Sequence, residues 1–333
     1  MKNQRIEYYD FLRGLAIIMV VGIHTFTPTS LETFDGVSSA FFRQLLNCAV
    51  PIFLALSGFF LSRKNLDSKT EIISFWQKQI PKVYIPGLIW SVPILFSKIF
   101  FSNQSIDGFF IFKNVVLLLI CGYSIYYFLA LIIQFYILLP LLQKYKTIMM
   151  PISIIVSFIS ITAITYIQIC QGISLPLIIY AGPFISWFMF FMLGVYLSSQ
   201  QTKYSLSYAV ILTIAGFILE CVEAYFLNTK FGGGLGIKIS SFIFSFGVIL
   251  IALSPKVSAM YSKNTLTNII AKIGSISFGI YLIHCFVIQL ISHIISLNNW
   301  VILWFIVLIA TSLIIIIANK ILPYKFSKYL GFK

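Results

Sequence analysis

The sequence is short of charge. Only 10% of its 333 residues are Asp, Glu, Lys or Arg, and just nine are acidic, against about 25% charged in an ordinary soluble domain. With 59% of the chain hydrophobic and a mean hydropathy of +0.98, a soluble enzyme is excluded. The 11 prolines and 19 glycines are too few, and the apolar surface too large, for a disordered chain. Cysteine is sparse as well. Cys48, Cys121, Cys170, Cys221 and Cys285 are scattered, odd in number and without a Cys-x-x-Cys pair, which argues against a disulfide framework or a zinc site. They read as small apolar packing residues.

What is present is apolar sequence in long runs. A bilayer core takes about 20 apolar residues per helix. Ten stretches answer to that: 11–27, 41–61, 83–101, 123–142, 148–169, 183–199, 205–227, 237–254, 273–295 and 299–319. The run 109–120 is shorter and reads as a re-entrant or interfacial piece. The expected fold class is therefore an all-α integral membrane protein of about ten transmembrane helices. Residues 1–333 read as one membrane domain with no appended soluble domain. The opening segment reads as a retained first span, because Glu7, Asp10 and Arg13 interrupt a signal-peptide pattern and no small-residue cleavage site follows.

A net charge of +14 would point to nucleic acid in a soluble protein. Here the basic residues lie between runs of membrane-spanning length, so lipid is the first partner expected and nucleic acid is not. Lys and Arg favour the cytoplasmic side of a membrane. With the N-terminus inside, 18 of them fall inside, and Arg43, Lys98, Lys113, Lys230 and Lys238 fall outside. That asymmetry favours an even number of spans and both termini in the cytoplasm.

Ionisable groups inside spans are costly and therefore functional candidates. They are Arg13 and His24 in the first span, Glu220 and Glu223 in the seventh, and His284 and His293 in the ninth. Eleven steps of about 100° separate Arg13 from His24, three turns plus about 20°, with a rise of about 16.5 Å. Both side chains thus leave one face of the first helix, as a polar stripe through most of the hydrocarbon thickness.

The local sequence Tyr9-Asp10-Phe11-Leu12-Arg13-Gly14-Leu15-Ala16, running on to Gly22-Ile23-His24, resembles the opening of the acyltransferase-3 superfamily, with its Arg-x10-His first helix. Pro51 through Ser57-Gly58-Phe59-Phe60-Leu61 is similar to the family's second-helix motif. Tyr127-Phe128-Leu129-Ala130-Leu131, with Tyr136 and Leu139-Pro140, is similar to its aromatic-rich fourth helix. Ser277-Phe278-Gly279-Ile280-Tyr281-Leu282-Ile283-His284 resembles its Ile-Tyr-Leu-x-His element. The chain departs from the pattern twice. Gln79-Ile80-Pro81-Lys82, beside Lys78, stands where the family commonly has Arg-x-x-Arg, and Tyr127 stands where a tryptophan is often found.

The resemblance implies transfer of an acyl group, most often acetyl, from cytoplasmic acyl-CoA to a hydroxyl of a surface or lipid-linked carbohydrate at a bacterial cell membrane. CoA is a polyanion, and Arg13, Arg63, Lys64, Lys78 and Lys82 form a candidate cationic cluster for its phosphates; positive-inside topology is the plainer account of all but Arg13. His24 is the candidate general base, with an acyl-imidazole as the competing route. Glu220 or Glu223 is a candidate to orient His24 or grip a sugar hydroxyl, and the plainer reading of both is interfacial snorkelling or an interspan hydrogen bond. Tyr127, Tyr281, His284 and Ser57 are candidates to line the substrate site, and Tyr126 is a further one to test. Ser57 is read as a packing residue with a substrate hydrogen bond, not as a nucleophile. His293 reads as structural, and no metal is expected. The alternative function is a transporter or flippase of a lipid-linked sugar, although no repeat symmetry between the halves supports it.

Overall fold

The computed structural model describes residues 2–28, 31–100, 107–199, 204–295, 297 and 299–333. In chain order the helices are α1 (Lys2–Thr25), α2 (Phe34–Leu45), α3 (Ala49–Leu61), α4 (Lys69–Phe100), α5 (Gly108–Leu119), α6 (Tyr127–Lys144), α7 (Lys146–Thr165) and α8 (Leu177–Tyr180). They continue with α9 (Phe188–Ser199), α10 (Leu206–Phe231), α11 (Ile239–Ala252), α12 (Pro255–Ala259), α13 (Thr265–Ser275), α14 (Ser277–Ile294), α15 (Trp300–Ile321) and α16 (Tyr324–Tyr329). No strand occurs among the described residues, as expected where each backbone amide must be satisfied within its own segment.

Each of the ten expected stretches is occupied by helix, and the stretches differ in length and composition. Seven helical stretches among the described residues are long and apolar enough to cross a membrane: Phe34–Leu61, Lys69–Phe100, Ser124–Lys144, Lys146–Cys170, Leu206–Phe231, Ser277–Ile294 and Trp300–Ile321. Phe184–Ser198 and Ile239–Ala252 are apolar but short. α1, which carries Asp10 and Arg13 within its length, is not among the seven. The run 109–120 is a short helix, α5, ending where Cys121 takes a positive φ of 52°. The second stretch is not one uniform rod: a 3-10 turn at Leu46–Cys48 separates α2 from α3.

Glycine governs the closest helix pairings. A Cβ on Gly14 of α1 would stand 2.0 Å from the Ile270 carbonyl oxygen of α13, and one on Gly274 would stand 1.8 Å from that of Asp10. α3 and α9 meet in the same manner through Gly58 and Gly194. Small residues let backbones approach where no water drives helices together.

The buried side chains form two apolar clusters. One centres on Phe135, Trp187, Phe190, Phe191 and Phe242, the other on Tyr126, Ile280, Trp300 and Trp304. α1 lies along the seam between them: Tyr8, Tyr9, Leu12 and Ala16 enter the first, and Ile17, Val20 and Val21 the second. The Trp304 indole N–H donates to the Ile18 carbonyl at 2.8 Å and fixes α1 against α15. This same helix carries Arg13 and His24.

Candidate active site

Because α1 is unbroken from Lys2 to Thr25, Arg13 and His24 keep the phase that their spacing dictates. Both line one cavity of about 190 Å³, shared with Ser57 of α3, Tyr127 and Tyr136 of α6, and Ser277 and Tyr281 of α14. A second cavity, of about 320 Å³, is walled by His24, Arg43, Asn47, Tyr127, Gln168, Tyr180 and Ser186 among others. His24, Val20, Val50 and Tyr127 border both. His24 therefore stands where the two spaces meet, and its accessible surface faces them.

The neighbour of His24 is another imidazole. His284 is fully buried, with its ring centroid 5.1 Å from that of His24. Its Nδ1 lies 2.8 Å from the Tyr281 carbonyl and 3.1 Å from that of Ile280. Carbonyl oxygens only accept, so Nδ1 carries the hydrogen and Nε2 of the neutral ring keeps its lone pair. That Nε2 has no partner among the described residues. α14 is held in place by reciprocal bonds. The Tyr126 hydroxyl donates to the Leu282 carbonyl at 2.7 Å, and the Tyr281 hydroxyl donates to the Ile125 carbonyl at 2.5 Å. Cys285 joins the two histidines: one ligand-type atom from each of the three lies within 4.8 Å of the others.

At the other end of the first cavity, Arg13 donates to Asp10 at 2.7 Å and stacks over the Phe60 ring at 5.2 Å. The Arg63 guanidinium lies 4.2 Å from the Phe59 centroid and 5.8 Å from that of Phe60, so Phe60 draws the two arginines together. Lys78 is not part of this group. It lines a separate open groove of about 400 Å³ with Lys64 and Glu71. Lys82 is exposed, reaches the Gln79 side chain at 3.4 Å, and lines neither cavity at His24. The cause is α4, which starts at Lys69, well before the apolar stretch, and carries both lysines on that extension.

Glu220 and Glu223 require correction as partners of His24 or a sugar. Glu220 is fully buried and borders neither cavity. It accepts from Asn47 Nδ2 at 2.7 Å and pairs with Lys238 Nζ at 3.4 Å. Glu223 accepts from the backbone N–H of Ser240 at 2.9 Å and from its hydroxyl, at the start of α11. His293 is exposed near the end of α14 rather than built into a core. Tyr126 is buried and lines neither cavity.

Sequence reasoning missed Arg43, Asn47 and Lys238. Arg43 is 8% exposed and donates to Asn47 Oδ1 at 2.6 Å; Lys238 is fully buried and donates to Gln44 Oε1 at 2.6 Å. The available signal was the spacing of Arg43 and Gln44 from Asn47, four and three positions at the head of an apolar stretch, which brings each within side-chain reach of Asn47 on a helix.

The acyltransferase-domain family matches residues 6–319. The chain belongs to the acyltransferase-3 family. It is 25% identical over 309 residues to the probable poly-beta-1,6-N-acetyl-D-glucosamine export proteins of Staphylococcus aureus strains MSSA476 and MW2, covering 85% of this chain and 82% of theirs. No solved structure matches it. Within this acyltransferase-3 chain, both ends of the Arg-x10-His element line the first cavity and its histidine borders the second as well, and the Ile-Tyr-Leu-x-His element supplies the second imidazole.

Proposed function

We propose that this acyltransferase-3 protein moves an acyl group, acetyl in the first instance, from cytoplasmic acyl-CoA to a hydroxyl of an extracytoplasmic or lipid-linked carbohydrate. The observation that carries the reading is the meeting of two cavities at one imidazole, one cavity leading to Arg13 and the other to Arg43. On this reading ten helices cross the membrane with both termini in the cytoplasm, in accord with the eighteen-to-five partition of basic residues. Arg13 and Arg63 then meet the CoA phosphates at the cytoplasmic mouth, and the pantetheine arm carries the thioester toward His24.

The acceptor enters from the Arg43 side. His24 takes the proton of its hydroxyl as the oxygen attacks the thioester carbonyl. A carbon–oxygen bond forms, the carbon–sulfur bond breaks, and the imidazolium returns the proton to the departing CoA thiolate. The unpartnered lone pair on His284 Nε2, on the ring beside His24, would accept an N–H of His24 once that ring turns toward it, fixing the His24 tautomer and leaving its other nitrogen free for the acceptor. Tyr127, which borders both cavities, and Tyr281 and Ser57 in the first, offer contacts to the reacting groups.

The relatives' description as export proteins favours one competing reading, a transporter or flippase of a lipid-linked sugar. The deciding experiment supplies labelled acetyl-CoA to the His24→Ala variant in membranes. Loss of label transfer with normal membrane insertion supports the enzyme. Unchanged transfer removes His24 from the chemistry, and glycan export with no label transfer by the wild-type protein favours the transporter.

A further inference from the structure

The reaction described above leaves one buried cation without work. Arg43 sits near the end of α2, and the Leu46–Cys48 turn keeps it beside the polar pair Gln44 and Asn47. Its guanidinium donates to Asn47 Oδ1 and lies 5.9 Å from the Phe26 ring. No carboxylate stands within 4.0 Å of it among the described residues. Glu220 and Glu223 are otherwise engaged: Glu220 by Asn47 and Lys238, Glu223 by Ser240. None of the described residues that wall the Arg43 cavity is acidic, and beside Arg43 its polar side chains are those of His24, Asn47, Tyr127, Gln168, Tyr180 and Ser186. A buried charge calls for a partner. The planar fork of arginine matches a carboxylate or phosphate by two parallel N–H donors.

We propose that the Arg43 cavity is an anion subsite: it takes a carboxylate or phosphate carried on a substrate and seats that substrate beside His24. The proposal rests on the acyltransferase reading and adds a charge requirement to it. Two substrates have the required chemistry, an acceptor sugar bearing an acidic group and a dicarboxylic acyl chain on CoA.

The test uses the full chain in nanodiscs and two matched pairs of probes. The acceptor pair is N-acetylglucosamine 1-phosphate against methyl N-acetylglucosaminide, with labelled acetyl-CoA. The donor pair is succinyl-CoA against acetyl-CoA, with the neutral acceptor. The expected result is a preference of about tenfold in kcat/KM for the anionic member of one pair, collapsing toward parity in Arg43→Gln and partly regained in Arg43→Lys. The pair that shows it identifies the carrier. Binding is read separately, without CoA, as the rise in thermal midpoint given by N-acetylglucosamine 1-phosphate or by succinate. That rise is expected in the wild-type chain and absent in Arg43→Gln, whose monodisperse elution guards against misfolding. An Arg43-dependent rise with no transfer in any arm keeps the anion site and overturns the acyltransferase reading. Ratios and midpoint shifts that are the same in wild type and Arg43→Gln overturn the anion site.

Discussion

The rings of His24 and His284 stand 5.1 Å apart at a tilt of 52°, one on α1 and the other on α14. His24 faces the cavities, whereas His284 is closed off and tied through Nδ1 to its own helix. On the proposed reading, base and orienting group are therefore distinguishable by position, and the two are expected to respond differently to substitution.

Replacing His24 by Gln is expected to lower kcat by at least about 100-fold, the usual contribution of a positioned base. His284→Gln is expected to cost about 10- to 100-fold, as supporting partners of a reactive imidazole do. It should also move the pH profile of kcat, which a packing defect alone would not. Both are measured as label transfer per molecule of inserted protein.

Gly274→Ala tests whether the pose of α1 matters. An added methyl meets the Asp10 carbonyl at 1.8 Å and must push α1 off α13. Overpacking of this kind costs about 1–3 kcal/mol. The thermal midpoint should fall, and transfer should fall further than stability alone explains, because Arg13 and His24 move with the helix.

The Lys238–Glu220 pair predicts a stability effect without a direct chemical one. Both side chains are fully buried, and removing one partner of such a pair costs about 3–5 kcal/mol. Lys238→Met is expected to lower the unfolding midpoint sharply. The double change Lys238→Met with Glu220→Leu should recover much of the loss, since an apolar pair of similar volume is tolerated.

Zinc offers a probe of the trio His24, His284 and Cys285. Their ligand atoms come within 4.8 Å of one another, and a bound zinc ion would occupy the lone pair that His24 needs as a base. Added Zn²⁺ should inhibit transfer, EDTA should restore it, and Cys285→Ala should weaken the inhibition. A preparation inactivated by EDTA alone would contradict the metal-free base.

How much of this was legible in the sequence depended on how far apart the partners lie. The phase of Arg13 and His24 could be read because one unbroken helix carries both. His284 could be placed at depth but not beside His24, since that meeting requires α14 to pack on α1. For Glu220 the sequence offers an interspan hydrogen bond among other readings but not its partner, because Asn47 is 173 positions away. Arg43 and Lys238 were counted as outer-loop charge for a related reason: hydropathy sees a cation beside an apolar run, not the side chains that bury it. Hydropathy marks ten apolar runs but not how long each helix becomes: α9 and α11 are apolar yet short.

The single ring at the junction of the two chambers bears on how modification outside the cell is powered. No nucleotide is at hand beyond the membrane, and on the proposed reading neither coenzyme nor sugar has to change sides. Only the acyl fragment passes the imidazole, with the thioester's own reactivity driving it, so no ion gradient or ATPase partner is required. Sealed vesicles with collapsed proton and sodium gradients should modify an external acceptor as fast as energised ones.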